Sequence, residues 1–409
     1  MKNESGVCEP QHGWWQKPML HFEEEQGAHR KVAWIELFYD LVFVVAIAQI
    51  AHQLAAHLDW AGAGTFLILF LPVWWTWISG TVYNERFESR GIENRVFFLS
   101  QMITVGGLAF FAHHGTGHNS TGFALSFVVA NLIIQVLWIR GGIHNPAFRP
   151  VMKRYLIGFL ASIALWVVSI WVPAPFKFVL WGAGVAGMFI TPMFTLNLQE
   201  KLPRFSSSKM PERYGLFTII VLGEAIVGSI NGMAAHEHLH LGDAIVGALG
   251  IALAFSLWWI YFDFIARRVP RPRRWNVFLW GAVGHTPMVL GLVATGAALL
   301  NVVAHSNHDQ LPREAQLLLG FSIALSLISI AFIETRLARH EHEPTHPWLS
   351  PAMKVLTGLA IAGVAIAPLG LPAIAFMLIL LGLLGVNMFY GAWSWFRKPE
   401  AHDVGHYVG

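Results

Sequence analysis

The apolar stretches of this sequence contain carboxylates at Glu36, Asp40 and Glu224, where an ionised side chain is costly. Glu36 and Asp40 lie four residues apart near the start of the first stretch, so a helix places both on one face. Glu224 lies in the middle of the seventh stretch, between Val221 and Val227. A charge at the centre of a bilayer costs at least about 2.5 kcal/mol, so such a residue is protonated, hydrogen-bonded to another helix or exposed to water.

Glu36 and Asp40 allow two interpretations. They can line a path for an ion or small solute, because membrane-embedded carboxylates usually face a cavity or a basic partner. They can also form structural ion pairs with an arginine from a neighbouring loop, for which Arg86, Arg95 and Arg213 are the candidates. Both residues lie near the end of their stretch, and the sequence leaves these alternatives open.

Glu224 has no basic residue near it in its own stretch. A carboxyl group that apolar surroundings keep protonated suits a proton-carrying or ion-coupling role, which is the interpretation we favour. The alternative is a neutral glutamate that ties helices together through Gln49, His52 or His285. The predicted path residues are therefore Glu36, Asp40, Gln49 and Glu224, with His52 and His285 as intramembrane polar partners.

His52 and His285 are the histidines that fall within apolar stretches. Either could ligate a haem or a metal, but neither has a histidine or carboxylate four residues away on its own helix. A hydrogen bond between helices is the favoured interpretation, and the sequence names no cofactor. Two outer loops are also rich in histidine, and whether they bind a metal stays open: His113, His114 and His118 in one, His236, His238 and His240 in the other.

The elements that must position these residues are twelve apolar stretches of the length that crosses a bilayer, about 20 residues each. Spans of this length in lipid must be helices, because the backbone finds no other hydrogen-bond partners there. The fold class is all-α, a polytopic membrane protein. The predicted spans are 35–57, 61–83, 96–113, 121–139, 156–173, 176–196, 214–232, 243–263, 276–303, 315–335, 352–369 and 371–396.

The basic residues are sorted between alternate loops. All 27 Lys and Arg residues except Lys177 and Arg313 fall on one side if the spans alternate across a bilayer. Positive charge marks the cytoplasmic side, so we predict a multi-pass protein of the cell's inner (plasma) membrane with both termini in the cytoplasm. Hydrophobic residues make up 55% and charged residues 12%, which excludes an ordinary soluble domain.

The partners that this composition predicts are membrane lipids and an unidentified ion or small solute. Its basic excess is explained by loops that face anionic lipid, so we read no nucleic-acid signal from it. A homodimer is compatible with the sequence, which does not fix the oligomeric state. Cys8 is the single cysteine, so a disulfide framework is excluded.

A weak internal repeat relates the two halves. The segments ELFY at 36–39 and ERYG at 212–215 open the first and seventh spans, Trp74-Trp75 matches Trp258-Trp259, and NRVF at 94–97 matches WNVF at 275–278. Six spans per repeat is an even number, so we predict two parallel repeats related by an axis along the membrane normal. The predicted divisions are a tail at 1–34, repeats at 35–200 and 214–396, a linker at 201–213 and a tail at 397–409.

Two segments resemble a known family. Residues 30–44 (RKVAWIELFYDLVFV) are similar to the opening signature of the bacterial low temperature requirement protein A family, and residues 212–224 (ERYGLFTIIVLGE) to its second signature. The resemblance covers essentially the whole chain and implies an integral membrane protein. The family name records a growth phenotype in the cold and supplies no molecular activity.

A more distant likeness suggests a mechanism. Residues 36–47 (ELFYDLVFVVAI) are similar to the first-helix signature of the endosomal and lysosomal potassium-channel family with a Phe-Ser-Asp motif, with Tyr39 at the serine position. That resemblance implies six-helix repeats and a pore lined by the first helix of each.

We therefore predict passage of an ion or small solute along a path lined by the first and seventh spans. A membrane-embedded enzyme or cofactor protein that uses His52, His285 and Glu224 is the first alternative, and a scaffold is the second. The phosphate-binding loop, zinc-protease and hydrolase motifs are absent from the sequence, so an enzyme is the weaker class.

Overall fold

The computed structural model describes residues 15–20, 32–88, 91–203, 209–238, 240–266, 268–339 and 343–397. Within these residues twelve helices are long and apolar enough to cross a membrane. The predicted all-α polytopic class is therefore confirmed. Cys8 and most of the two predicted tails lie outside the described residues.

The first six of these helices include the one that carries Trp74 and Trp77, which are fully buried. Local chemistry fixes some of their starts: the Glu36 carboxylate accepts the backbone N–H of Ala33, and Asp59 accepts that of Gly62 at 2.7 Å. Their bounds are α1 Trp34–Ala56, α2 Trp60–Arg86, α3 Ile92–Ala112, α4 Ser120–His144, α5 Pro146–Ser169 and α6 Phe176–Gln199.

The second six helices contain two π-helical segments, Phe262–Ala266 at the end of one span and Leu279–Gly284 near the start of the next. The first of the six begins at Lys209 rather than at the predicted 214, because its early charged residues have partners inside the protein. The bounds are α7 Lys209–Ala234, α8 Leu241–Ala266, α9 Trp275–Ala304, α10 Arg313–Glu334, α11 Leu349–Ile366 and α12 Ala373–Phe396.

One short sheet lies at the end of the bundle that carries the basic loops. Strand β1, Met19–Leu20, pairs antiparallel with β2, Phe87–Glu88. The Asn145 side chain donates to the carbonyl of Pro18 at 2.8 Å, so the segment before α1 is held against the ends of α2 and α4.

The same order of helix contacts occurs in both halves. In the first half α1 contacts α2 and α3, and α2 contacts α3, α4 and α6. The later helices each contact the next one in the chain, from α3 to α6. The corresponding pairs recur among α7–α12. A duplication predicts such a shared order. The parallel orientation of the two repeats stays a prediction.

Small residues bring α7 and α9 together. Gly228 and Gly232 stand one turn apart on α7, and a Cβ atom built on Gly228 would lie 2.2 Å from the carbonyl oxygen of Gly296 on α9. A Cβ on Gly296 would in turn lie 2.9 Å from the backbone of Glu224. Small residues spaced by four are typical of closely packed membrane helices. This packing holds the backbone of Glu224 directly against α9.

Candidate functional site

Four charged residues join α1 to α7 in what we call the inter-half cluster: Glu36, Asp40, Lys209 and Arg213. Lys209 Nζ donates to Glu36 Oε1 at 2.6 Å, and Arg213 Nη2 donates to Asp40 Oδ1 at 2.7 Å. Arg213 Nη1 also lies 4.0 Å from Glu36 Oε1. All four are buried. Each pair is spaced by four residues on its own helix, so two carboxylates on one face of α1 meet two cations on one face of α7.

Hydrogen bonding in this cluster is incomplete. The indole N–H of Trp77 donates to the same Asp40 Oδ1 at 2.7 Å. Asp40 Oδ2 and the Nε and Nη1 atoms of Arg213 are buried, with no hydrogen-bond partner among the described residues. Unsatisfied buried charged groups cost free energy, so this cluster is less favourable than its short distances suggest.

Aromatic rings fill the space next to this cluster. Trp74 and Trp77 of α2 stack with ring centroids 4.8 Å apart. Trp77 lies 4.3 Å from the ring of Phe217 and 5.1 Å from that of Tyr214, both on α7. Trp74 also donates its indole N–H to Thr286 of α9 at 2.7 Å. These rings close the interface between the halves at the depth of Asp40.

Glu224 and His52 face one narrow groove between α1, α7 and α9. The groove is also lined by Gly228 and Asn231 of α7. Glu224 is half-buried and His52 is exposed. Gln49 is exposed as well and lies outside the groove lining, so of the two predicted α1 partners of Glu224 only His52 is brought to it.

His285 lies elsewhere, fully buried at the start of the α-helical part of α9. Its Nδ1 is 2.7 Å from the carbonyl oxygen of Trp280, and its Nε2 is 3.2 Å from the hydroxyl of Tyr261 on α8. Both ring nitrogens are therefore engaged, which agrees with the predicted hydrogen bond between helices. His285 and Glu224 do not share a site.

A cleft opens between the halves at the end that carries the basic loops, with about 660 Å³ of atom-free space. Residues of α2, α4, α5 and α6 form one wall, and Met210 and Tyr214 of α7 with Phe278 of α9 form the other. No charged side chain stands among the described residues that line it. The sequence gave no signal for this cleft, because its lining comes from six different spans.

A second buried charge cluster, the α10–α11 cluster, lies wholly inside the second half. Glu334 Oε2 accepts from Lys354 Nζ at 3.0 Å and from the Ser350 hydroxyl at 3.1 Å, while Oε1 lies 3.5 Å from Arg268 Nη1. Arg268 also pairs with Glu343. Lys354 Nζ lies 3.4 Å from the ring centroid of Phe264. Both carboxylate oxygens of Glu334 thus have partners.

On the opposite end, Asp243 is buried and accepts from the backbone N–H of His240 at 2.9 Å, with His236 Nε2 3.7 Å from its other oxygen. In the part of the chain that the structure describes, no group of three or more His, Cys, Asp or Glu residues could hold a metal ion. The histidines of the two histidine-rich loops are thus not gathered into such a site among these residues.

Sequence reasoning found Glu36, Asp40 and Arg213 but missed Lys209, Trp77 and Tyr214. The signal for Lys209 was its spacing from Arg213, which matches that of the two carboxylates. Trp77 could not be found in this way, because its role depends on where α2 crosses α1. The two segments with family signatures meet in space through the Asp40–Arg213 pair.

Comparisons with known proteins agree with the signatures. The family model of the bacterial low temperature requirement A protein (LtrA) matches residues 31–386. The uncharacterised protein RA0937 of Rhizobium meliloti (strain 1021) is 24% identical over 340 residues, which cover 73% of this chain and 76% of that protein. No solved structure matches the chain.

Proposed function

Because the chain belongs to the bacterial low temperature requirement A protein family and is a multi-pass membrane protein, we propose that it passes an ion or small solute between its two halves. One observation carries the proposal. The cleft, the aromatic rings and the groove follow one another along a single face of α7, at Met210, Tyr214, Phe217, Glu224 and Asn231. These positions are spaced by three, four or seven residues, the period of one helix face.

The length of this face supports the same proposal. At about 1.5 Å per residue, the stretch from Met210 to Asn231 spans roughly 30 Å. The hydrocarbon core of a bilayer is about 30 Å thick. A path along α7 therefore has a cleft near one surface, a groove beyond the middle and packed aromatic rings between them, which is the arrangement of a closed path.

In this proposal Glu224 is the group that takes up and releases a proton. Its groove is narrow and largely apolar, apart from His52 and Asn231. Such surroundings favour the neutral acid, and a water molecule or cation that enters the groove favours the carboxylate. The charge of Glu224 would therefore change with the state of the path.

Glu36 and Asp40 take a different part from the one expected of lining residues. They connect the halves through Lys209 and Arg213, beside the rings that close the path. We propose that these ion pairs hold the closed state and separate when the path opens. Gln49 stays a predicted path residue without a contact that assigns it a role.

The proposal includes a location and an orientation: the bacterial inner membrane, with both termini and the cleft on the cytoplasmic side. The distribution of Lys and Arg supports the orientation. Cysteines placed in 114–120 should react with an impermeant thiol reagent added to intact cells. If these cysteines reacted only after the cells were lysed, the proposed orientation would be wrong. A homodimer stays a prediction.

The enzyme or cofactor alternative would need His285 as a ligand. Its Nδ1 could keep the contact to the Trp280 carbonyl, but its Nε2 would have to leave the Tyr261 hydroxyl, and Glu224, the carboxylate of that alternative, does not share a site with it. Transport is therefore the function that the geometry supports best.

The experiment is proton flux into proteoliposomes under an imposed membrane potential, followed with a trapped pH-sensitive dye. Proton flux into vesicles that contain wild-type protein should exceed the flux into protein-free vesicles. Glu224→Gln should lower this flux roughly tenfold or more, because glutamine keeps the shape of the protonated acid but cannot release a proton. Glu314→Gln is the matched control, an exposed carboxylate on α10.

Two outcomes would contradict the proposal. If Glu224→Gln kept the wild-type flux and pH profile, Glu224 would not be the coupling group. Wild-type vesicles no more permeable than empty ones to H⁺, K⁺ and Na⁺ would reject ion passage.

A further inference from the structure

We infer that the cleft between the halves binds an uncharged, planar small molecule that carries one or two hydrogen-bonding groups. The inference names a substrate class for the proposed path, and it rests on the proposed function only for its physiological role. Binding itself can be measured without transport.

Flat aromatic side chains dominate the walls of the cleft. Such rings favour a planar partner, because stacked and edge-to-face contacts add to the burial of apolar surface. The rings come from both halves, so a molecule in the cleft would touch both. They belong to Trp75, Trp138, Tyr155, Phe159, Tyr214 and Phe278.

The lining of the cleft offers no counter-charge to a bound ionic ligand. Among the described residues, its lining has no carboxylate, ammonium, guanidinium or imidazole. Arg213, which precedes the lining residue Tyr214, donates to Asp40, and Arg86 donates to the carbonyl oxygen of Pro203 at 2.6 Å. A charged ligand would leave water without gaining a counter-ion, which disfavours its binding.

Polar groups with free capacity stand in this apolar lining. The hydroxyl groups of Tyr214 and Ser79 belong to this lining, on residues that are more than nine-tenths buried. The indole N–H of Trp138 is also buried without an acceptor among the described residues. Buried polar groups are normally paired, so the Trp138 indole points to a ligand with an acceptor, and the two hydroxyl groups can form further hydrogen bonds to that ligand.

Gln199, another polar residue of the lining, is already engaged. The amide nitrogen of Gln199 donates to the Tyr155 hydroxyl at 2.9 Å and to the Thr195 hydroxyl at 2.8 Å, and its oxygen lies 3.4 Å from Arg86. Gln199 therefore fixes the wall rather than offering a free group. Tyr214 and Ser79, one on each side of the interface between the halves, would form hydrogen bonds to the ligand.

The lining of the cleft combines an apolar wall with a small number of polar groups, as the sites of small molecules usually do. Few polar groups in an apolar wall fix the orientation of a ligand, while the wall supplies most of the affinity.

The test is isothermal titration of the full chain in lipid nanodiscs with three probes that share one ring system. Indole is neutral, tryptamine is a cation and indole-3-carboxylate is an anion. Indole should bind, and the two charged probes should bind roughly tenfold more weakly or not at all, because the cleft offers no counter-ion.

Variants locate the binding. Tyr214→Phe removes one hydroxyl and should weaken the binding of a hydrogen-bonding probe about 3- to 10-fold. Ser79→Phe fills the cleft and should abolish binding. Ser256→Ala is the matched control, because Ser256 is a buried helical serine whose hydroxyl donates to Ala252 and which lies outside the cleft. The melting temperature of each variant shows that it is folded.

Equal binding of the three probes, no heat with any of them at millimolar concentration, or wild-type binding in both Tyr214→Phe and Ser79→Phe would overturn the inference. So would a lipid chain that native mass spectrometry finds on the wild type and that Ser79→Phe loses. Indole binding without Glu224-dependent flux would reject the path alone. Glu224-dependent flux without indole binding would reject the ligand class alone.

Discussion

The inter-half cluster and the α10–α11 cluster use similar groups in different surroundings. Each is buried, and each joins carboxylates to a lysine and an arginine. In the α10–α11 cluster, one carboxylate has partners on both oxygens. In the inter-half cluster, Asp40 Oδ2 and two nitrogens of Arg213 have no hydrogen-bond partner among the described residues.

The difference lies in what the clusters connect. The α10–α11 cluster joins helices that are neighbours in one half, so its groups can settle into full hydrogen bonding. The inter-half cluster joins α1 to α7 across the interface that we propose to open. Incomplete hydrogen bonding lowers the cost of separating a buried ion pair, which suits a contact that must break and re-form.

Charge reversal in the inter-half cluster should have the largest effect. Arg213→Asp would face Asp40 and Glu36 with a third buried carboxylate, and it should abolish accumulation of folded protein. The exchanged double variant, Asp40→Arg with Arg213→Asp, should restore a folded peak in size-exclusion chromatography. A double variant no better than the single ones would show that the pair does not act as a direct contact.

Among isosteric substitutions, one that neutralises the α10–α11 cluster should lower the free energy of unfolding the most. Glu334→Gln removes the carboxylate that serves both Lys354 and Arg268, so it should lower the free energy of unfolding by about 3–5 kcal/mol. Steric trapping or thermal melting in lipid measures this. Proton flux, corrected for the amount of folded protein, should stay at the wild-type level.

Asp40→Asn is the matched change in the inter-half cluster and should cost less, about 1–3 kcal/mol. Asparagine keeps an acceptor for Arg213 and Trp77, and Glu36 remains 4.0 Å from Arg213. The same variant should leak protons above the wild-type rate, because the contact that holds the halves closed is weakened. A loss as large as that of Glu334→Gln, without added leak, would make both clusters structural.

The smallest effects should come from single neutral donors. Trp77→Phe removes the indole N–H that Asp40 accepts, and Ser350→Ala removes a hydroxyl that Glu334 accepts. Each should cost about 1 kcal/mol in unfolding experiments. Trp77→Phe alone should raise proton leak, since it lies beside the proposed closure. If Ser350→Ala raised the proton leak as well, the two clusters would not differ in function.

Much of the fold could be predicted, because the membrane acts on composition directly. Twelve spans followed from runs of apolar residues, and the structure has twelve helices of suitable length among its described residues. The start of α7 was placed five residues too late, since hydropathy treats Lys209 and Arg213 as loop residues. Their burial depends on Glu36 and Asp40, which belong to another helix.

The site could be predicted only where the residues that form it lie in one segment of the chain. The sequence by itself determined the membrane class, the sorting of basic loops and the presence of intramembrane carboxylates, because bilayer insertion penalises charge residue by residue. Tertiary structure alone decided that Asp40 is paired, that Glu224 shares a groove with His52 and that six spans enclose a cleft. These outcomes depend on which helix faces meet, and close packing of residues far apart in the chain sets that.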